Sequence, residues 1–195
     1  MPEGYGTEDY CQVASEFEDA GVDILHISAG TYRAMERRVT PMYLGEAPFL
    51  KYAAEIKRSV TIPVIASGSM HSLETADAAV ADGFADFVAM SRPIFADPDL
   101  PRKVMGDREE EIIPCIRCNT CVSREQAGAR SLCAINPKTG LESAWTERTT
   151  VQRRIIIAGG GPSGMQAALT AARHGHDVTL VERRGELGGS LTIAA

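Results

Sequence analysis

Apolar positions in the first ninety residues follow two alternating periods. Tyr10, Val13, Ala14 and Phe17 recur at helical spacing over Glu8 to Ala20, and the pattern stops at Gly21. Val22 to Ser28 is then a mostly apolar run that reads as a buried strand. A loop over 29–45 leads to a second amphipathic helix, Pro48 to Ser59, and to the strand Val64 to Ser67, which Gly68-Ser69 closes. A third helix, Leu73 to Ala81, stops near Gly83 and gives way to the strand Ala85 to Met90, ending at Ser91-Arg92. Strand and helix repeating at this interval predict parallel βαβ units. Periodicity alone does not separate an open doubly wound sheet from a closed barrel.

From Asp97 to Thr150 the alternation stops, and Pro, Gly and Cys become frequent, as in a connector held by something other than a large apolar core. A new pattern starts at Arg153: the strand Ile155 to Ala158, a glycine cluster, the helix Met165 to His174, and the strand Asp177 to Val181 ending at Glu182. The expected organisation is therefore α/β, with an α/β unit over 1–107, a connector over 108–150 and the start of a dinucleotide-binding unit over 151–195.

Length sharpens this picture. At 195 residues the chain has room for one domain and a fraction at about 150 residues per domain, too few for a complete (β/α)8 barrel of about 250 residues together with anything else. The formal charge of −6 argues against the basic surface that nucleic-acid binding requires. Residues 1–110 carry ten basic and nineteen acidic side chains and 111–195 carry ten and seven, so the two parts present different surfaces. No run approaches the roughly 18–20 apolar residues of a membrane span. The N-terminus has no basic and apolar leader, so a cytoplasmic location without a membrane partner is expected. In a reducing compartment five cysteines do not form a disulfide framework. Cys115, Cys118, Cys121 and Cys133 cluster, and Cys11 stands apart on a helix as a packing residue.

Three thiols spaced by two residues, with a fourth downstream, can converge into a four-sulfur site for zinc or an iron–sulfur cluster. Structural zinc prefers two separated Cys-x2-Cys pairs, whereas a run of three at this spacing matches the first ligands of bacterial ferredoxins, which favours a 4Fe-4S cluster. Gly159-Gly160-Gly161-Pro162-Ser163-Gly164 lies between a strand and a helix. Gly159 permits the tight turn, Gly161 lets backbone approach a pyrophosphate, and Gly164 allows close helix–strand packing. Glu182, at the end of the next strand, suits ribose hydroxyls and disfavours a 2′-phosphate, pointing to FAD or NAD. Gly68-Ser69 and Ser91-Arg92 follow successive strands, where backbone N–H groups and a guanidinium suit a phosphate monoester. Read alone, Arg92 is equally a solvated loop charge. His26 reads as a structural histidine, Tyr32 and Arg33 sit on a loop open to substrate, and His71 and Trp145 receive no role.

The order of these motifs resembles a known family. Leu25 to Gly30, Ile62 to Gly68 and Ala89 to Pro93 resemble the last three strands of the flavin barrel of old yellow enzymes. Pro114 to Cys121 and the glycine cluster resemble its multi-cofactor branch of 2,4-dienoyl-CoA reductase, enoate reductases and trimethylamine dehydrogenase. The resemblance implies the C-terminal part of an FMN-binding (β/α)8 TIM barrel, an iron–sulfur connector and the start of a Rossmann-like FAD/NAD(P)-binding domain. It implies that Gly68, Ser69, Ser91 and Arg92 hold the FMN phosphate and that the four clustered cysteines hold the 4Fe-4S cluster. Gly159, Gly161, Ser163, Gly164, Glu182, Arg183 and Gly189 would bind FAD. Electrons would pass from NAD(P)H through FAD, the cluster and FMN to an activated C=C bond of an enoate, enoyl-CoA or enone. Tyr32 stands about where dienoyl reductases have a histidine, as a proton donor or a wall, with Arg33 as a substrate contact. The Cys118-x2-Cys121 step instead matches the amine dehydrogenases, whose electrons leave to an electron-transferring flavoprotein. A non-catalytic metal-binding module is the reading from another class. The resemblance also makes the chain a fragment of a longer reductase, without a complete flavin site of its own, and allows a homo-oligomer.

Overall fold

The structure is a computed structural model that describes residues 4–144 and 151–194. Trp145 and the end of the expected connector lie outside the described residues. The chain divides into two units, Met1–Gly140 and Leu141–Ala195.

In the first unit the order is α1 (Thr7–Asp19), β1 (Leu25–Ile27), α2 (Met35–Arg38), α3 (Leu50–Lys57), β2 (Val64–Ala66), α4 (Leu73–Ala81), β3 (Phe87–Val88), α5 (Arg92–Ala96), α6 (Leu100–Met105) and α7 (Thr120–Gln126). β1, β2 and β3 form a parallel sheet in sequence order, with Leu25 opposite Val64 and Ile65 opposite Phe87. The strands are shorter than the apolar runs. Val22 and Ile24 are exposed, so only the last half of the first run joins the sheet. One face packs against the helices: Val64, Ala66 and Ala79 are fully buried and pack with Leu25, Ala53, Ile56 and Met70. The other face carries the row His26, Ile65, Phe87, of which His26 and Phe87 are exposed. Cys11 packs against the buried cluster, as the helical pattern predicts.

Ser72 starts α4 by accepting from Thr75 N at 3.2 Å, and Glu46 accepts from the Ser72 hydroxyl at 2.8 Å, so a loop residue fixes where the helix begins. α5 and α6 fall where the sequence reads as the end of a strand and as connector. Both carry proline in the first turn, where its missing N–H costs no hydrogen bond. Among the described residues no helix is long and apolar enough to cross a membrane.

The second unit contains β4 (Arg154–Ala158), α8 (Pro162–Arg173), β5 (Asp177–Val181) and α9 (Leu191–Ala194). β4 and β5 pair in parallel from Arg154 opposite Asp177 to Ala158 opposite Val181, the crossover being α8. The helix starts three residues before the periodic stretch that predicts it, because Pro162 is preset for the first turn.

Candidate functional site

The loops at the carboxyl ends of β1, β2 and β3 enclose a cavity of about 300 Å3, at the lower end of the range of small-molecule sites. Gly68 and Ser69 supply one side in left-handed backbone, at φ +101° and +52°. A side chain at Gly68 is excluded twice over, by that φ and by the Phe49 ring 2.4 Å from where a Cβ would lie. Ser91 and Arg92 supply another side.

Arg92 is the hub. Its NH2 donates to Ser69 Oγ at 2.7 Å and lies 3.2 Å from His71 Nε2; its NH1 donates to the Thr40 carbonyl at 2.9 Å and to Asn119 Oδ1. Burial pushes the guanidinium below its ordinary pKa, an effect that the nearby Cys115 and Cys121 offset in part. His71, with no role read from the sequence, lines the same cavity. Its burial, with Arg92 and Arg117 nearby and Glu46 opposing, lowers its pKa from 6.5 to about 4. The ring is therefore neutral at pH 7, and its contribution to stability is lost as pH falls from about 6.5 toward 4. His26 is exposed and lines the cavity too, in place of the structural role read from the sequence. Tyr32 and Arg33 are exposed and do not line it; Arg38, which does, sits 4.3 Å over the Tyr32 ring.

Arg92 also lines a second, much smaller cavity, of about 10 Å3, together with Cys115, Cys118, Cys121 and Cys133. The five cysteines of the chain are free thiols. Between the first three of these cysteines the backbone turns left-handed twice, at Arg117 (φ +53°) and Asn119 (φ +58°). That conformation costs Arg117 roughly 1–2 kcal/mol and an asparagine less, and long-range bonds hold both residues in it. Arg117 donates to the carbonyls of Leu44 at 2.7 Å and Met42 at 3.1 Å; Asn119 Nδ2 donates to Val39 O at 2.9 Å. Burial raises the Cys115 and Cys121 thiols, while the Thr120 hydroxyl, 3.3 Å away, lowers Cys118. Among the described residues no three His, Cys, Asp or Glu side chains close on one metal-ion position.

In the second unit the glycine turn follows β4. Gly159 adopts φ +108°, and a Cβ at Gly164 would lie 1.9 Å from the Gly159 carbonyl oxygen, so helix and turn touch backbone to backbone. Glu182 accepts from Gly160 N at 2.5 Å and Arg184 N at 2.8 Å. These N–H groups, Arg184 first, hold its carboxyl below the ordinary range. The tail folds back on the turn: Gly188 N donates to Gly160 O at 2.8 Å, and a Cβ at Gly189 would meet Gly161 Cα at 2.9 Å. Leu187 crowds Gly160, a contact that a fingerprint of glycines does not reveal.

The NADH:flavin oxidoreductase / NADH oxidase family matches residues 6–111, and the FAD dependent oxidoreductase family matches residues 154–195. The NADH oxidase of Thermoanaerobacter brockii is 42% identical over 98% of this chain and 30% of its own length. The cinnamate reductase of Clostridium sporogenes is 36% identical over 88% of this chain and 26% of its own. Among solved structures, a 2-naphthoyl-CoA reductase in complex with 2-naphthoyl-CoA superposes with a TM-score of 0.84 at 31% identity, over 97% of this chain and 30% of that one. The chain thus spans less than a third of the length of these relatives.

Proposed function

The chain belongs to the NADH:flavin oxidoreductase / NADH oxidase family, and from that premise we propose that it is the cofactor-bridging stretch of an NAD(P)H-dependent flavin oxidoreductase that reduces activated C=C bonds. The three parallel strands are the last three of a flavin barrel, residues 108–150 are its cluster connector, and β4–α8–β5 opens the FAD domain. The observation that carries this reading is Arg92, one guanidinium on the walls of both the Ser69 cavity and the four-cysteine cavity.

The residues present fit the groups. Ser69, Arg92 and the Gly68 backbone offer donors and one positive charge to the phosphate of FMN, with Ser91 beside them. Four thiols line one cavity, and the run of three at two-residue spacing suits a 4Fe-4S cluster better than the separated pairs that zinc prefers. The raised pKa values of Cys115 and Cys121 mean that both give up their protons when the cluster binds. Gly159, with open space beside it, and Gly161 would let the FAD pyrophosphate approach the start of the twelve-residue α8, where Ser163 and the closely packed Gly164 lie, with Glu182, Arg183 and Gly189 around the adenylate half. When bound, the two flavins and the cluster supply electron transfer between NAD(P)H and the substrate. The chain's own residues orient and insulate these groups. Tyr32, whose ring lies under the cavity-lining Arg38, would meet the substrate from outside the cavity wall as a proton donor or a wall, with Arg33 as a further contact on the same loop.

The relatives act on cinnamate and bind 2-naphthoyl-CoA by name, so an enoate or enoyl-CoA is the substrate class. Anaerobic assay of the enzyme that contains this chain tests the reading: NADH should reduce its flavin, and a cinnamate-type enoate should reoxidise it. Flavin reduced by a tertiary amine and not by NADH would assign amine dehydrogenation instead. The phosphate position has its own check. NMR titration of the His71 imidazole should give a midpoint near 4 in the flavin-free form of the enzyme that contains this chain. Added FMN should move the midpoint upward, because a phosphate dianion beside the ring favours its protonated form. An unmoved midpoint places the phosphate elsewhere.

A further inference from the structure

The wall between the two cavities of the first unit is one short helix. At its start, Arg92 reaches Ser69 on the side of the larger cavity and Asn119, between Cys118 and Cys121, on the side of the smaller. Near its end, the Phe95 carbonyl accepts from Asn136 Nδ2 at 2.9 Å and Thr139 Oγ1 at 3.1 Å, two buried residues that follow Cys133. The cysteine segment therefore grips α5 from both ends. Asn119 also donates to Val39 O, one residue before the Thr40 carbonyl that takes the other Arg92 bond. Side chain, loop and helix form one closed set of polar contacts, with no member free to move without its neighbours.

Building on the cofactor assignment above, we propose that Arg92 and Asn119 are positioning residues that couple the two sites, so that FMN phosphate and the cluster each tighten the binding of the other. A phosphate on the Ser69 side fixes the guanidinium in one orientation. Fixing it holds Asn119 in its left-handed conformation, and Asn119 sets the approach of Cys118 and Cys121. In reverse, a cluster-bound loop holds Asn119 and presents Arg92 already oriented to the phosphate. The first group to bind orders the shared residues, the second finds them ordered, and the coupling is reciprocal.

The test titrates FMN by flavin fluorescence against the flavin-free form of the enzyme that contains this chain, with its cluster intact and after anaerobic removal of the iron by a chelator. Wild-type chain is compared with Asn119→Gly, which keeps the left-handed backbone without either side-chain bond, and with Asn119→Asp, which keeps the acceptor for Arg92. Removing the cluster should weaken FMN binding to the wild type about tenfold, within the usual range of coupling between sites. Asn119→Gly should bind FMN equally in both states, and Asn119→Asp should restore most of the difference. Equal FMN affinity in the two wild-type states overturns the coupling, whatever the variants do. So does an Asn119→Gly chain that binds FMN more weakly yet keeps the wild-type ratio, since that is a purely structural loss. A wild-type enzyme containing this chain that takes up neither iron nor FMN overturns the cofactor assignment as well, and it does so before any variant is compared.

Discussion

Gly164→Ala is expected to break the second unit while leaving the first intact. The new methyl would sit 1.9 Å from the Gly159 carbonyl oxygen and 3.0 Å from its carbonyl carbon, both backbone atoms of the turn. No rotamer change relieves such a clash, so α8 must move away from β4 or the turn must open. Overpacking of this kind costs about 1–3 kcal/mol even where side chains can yield, and the larger figure is expected here. Gly161 cannot absorb the shift freely, because Gly189 already lies against it. Hydrogen exchange should accelerate across 154–181, FAD uptake should fall at least tenfold, and exchange across 64–88 should be unchanged. Unaltered exchange and FAD uptake would mean that the close approach of helix and turn is not needed.

Asp97→Ala should strongly destabilise the first unit. Asp97 is 4% exposed; its Oδ2 accepts from Lys103 Nζ at 2.5 Å and Ile113 N at 2.9 Å, and its Oδ1 accepts from Asp99 N at 3.1 Å. Lys103 also donates to Glu111 O at 2.8 Å, and only 15% of its side chain is exposed. Removing the carboxylate leaves a largely buried ammonium without its counter-charge, at a cost of about 3–5 kcal/mol. Ile113 lies two residues before Cys115, so the entry to the cysteine segment loosens together with the helix. Urea unfolding should show the loss, and iron retention should fall with it. Burial pushes the Asp97 carboxyl up, but the bonds from Lys103 and Ile113 outweigh it and hold the group below its ordinary 3.8. Its contribution is therefore present above about pH 4 and is lost as pH falls through the lowered value. A variant within 1 kcal/mol of wild type, on the scale of exposed pairs, would show that the pair contributes little.

The cysteine cluster and the glycine turn were legible in the sequence because their geometry is local. Three cysteines two residues apart, or three glycines between a strand and a helix, bring their own spacing whatever the rest of the chain does. The residues that hold the cysteine loop were not legible. Arg117 reaches carbonyls 73 and 75 residues away and Asn119 one 80 residues away, so nothing in their neighbourhood marks them. The preference of asparagine for left-handed backbone was the one local signal available. His71 was passed over for the same reason, since only the fold sets it beside Arg92. The strand pattern overran the sheet where apolar residues such as Val22 and Ile24 lead into β1 without pairing. Periodicity likewise gave no notice of the four-residue α2, too short to display a helical repeat.

Metal analysis of the chain purified without oxygen tests the central claim most directly. The account requires a brown protein with four iron and four acid-labile sulfide per chain, which Cys121→Ser depletes and zinc does not replace. A colourless chain with one tightly held zinc would contradict it.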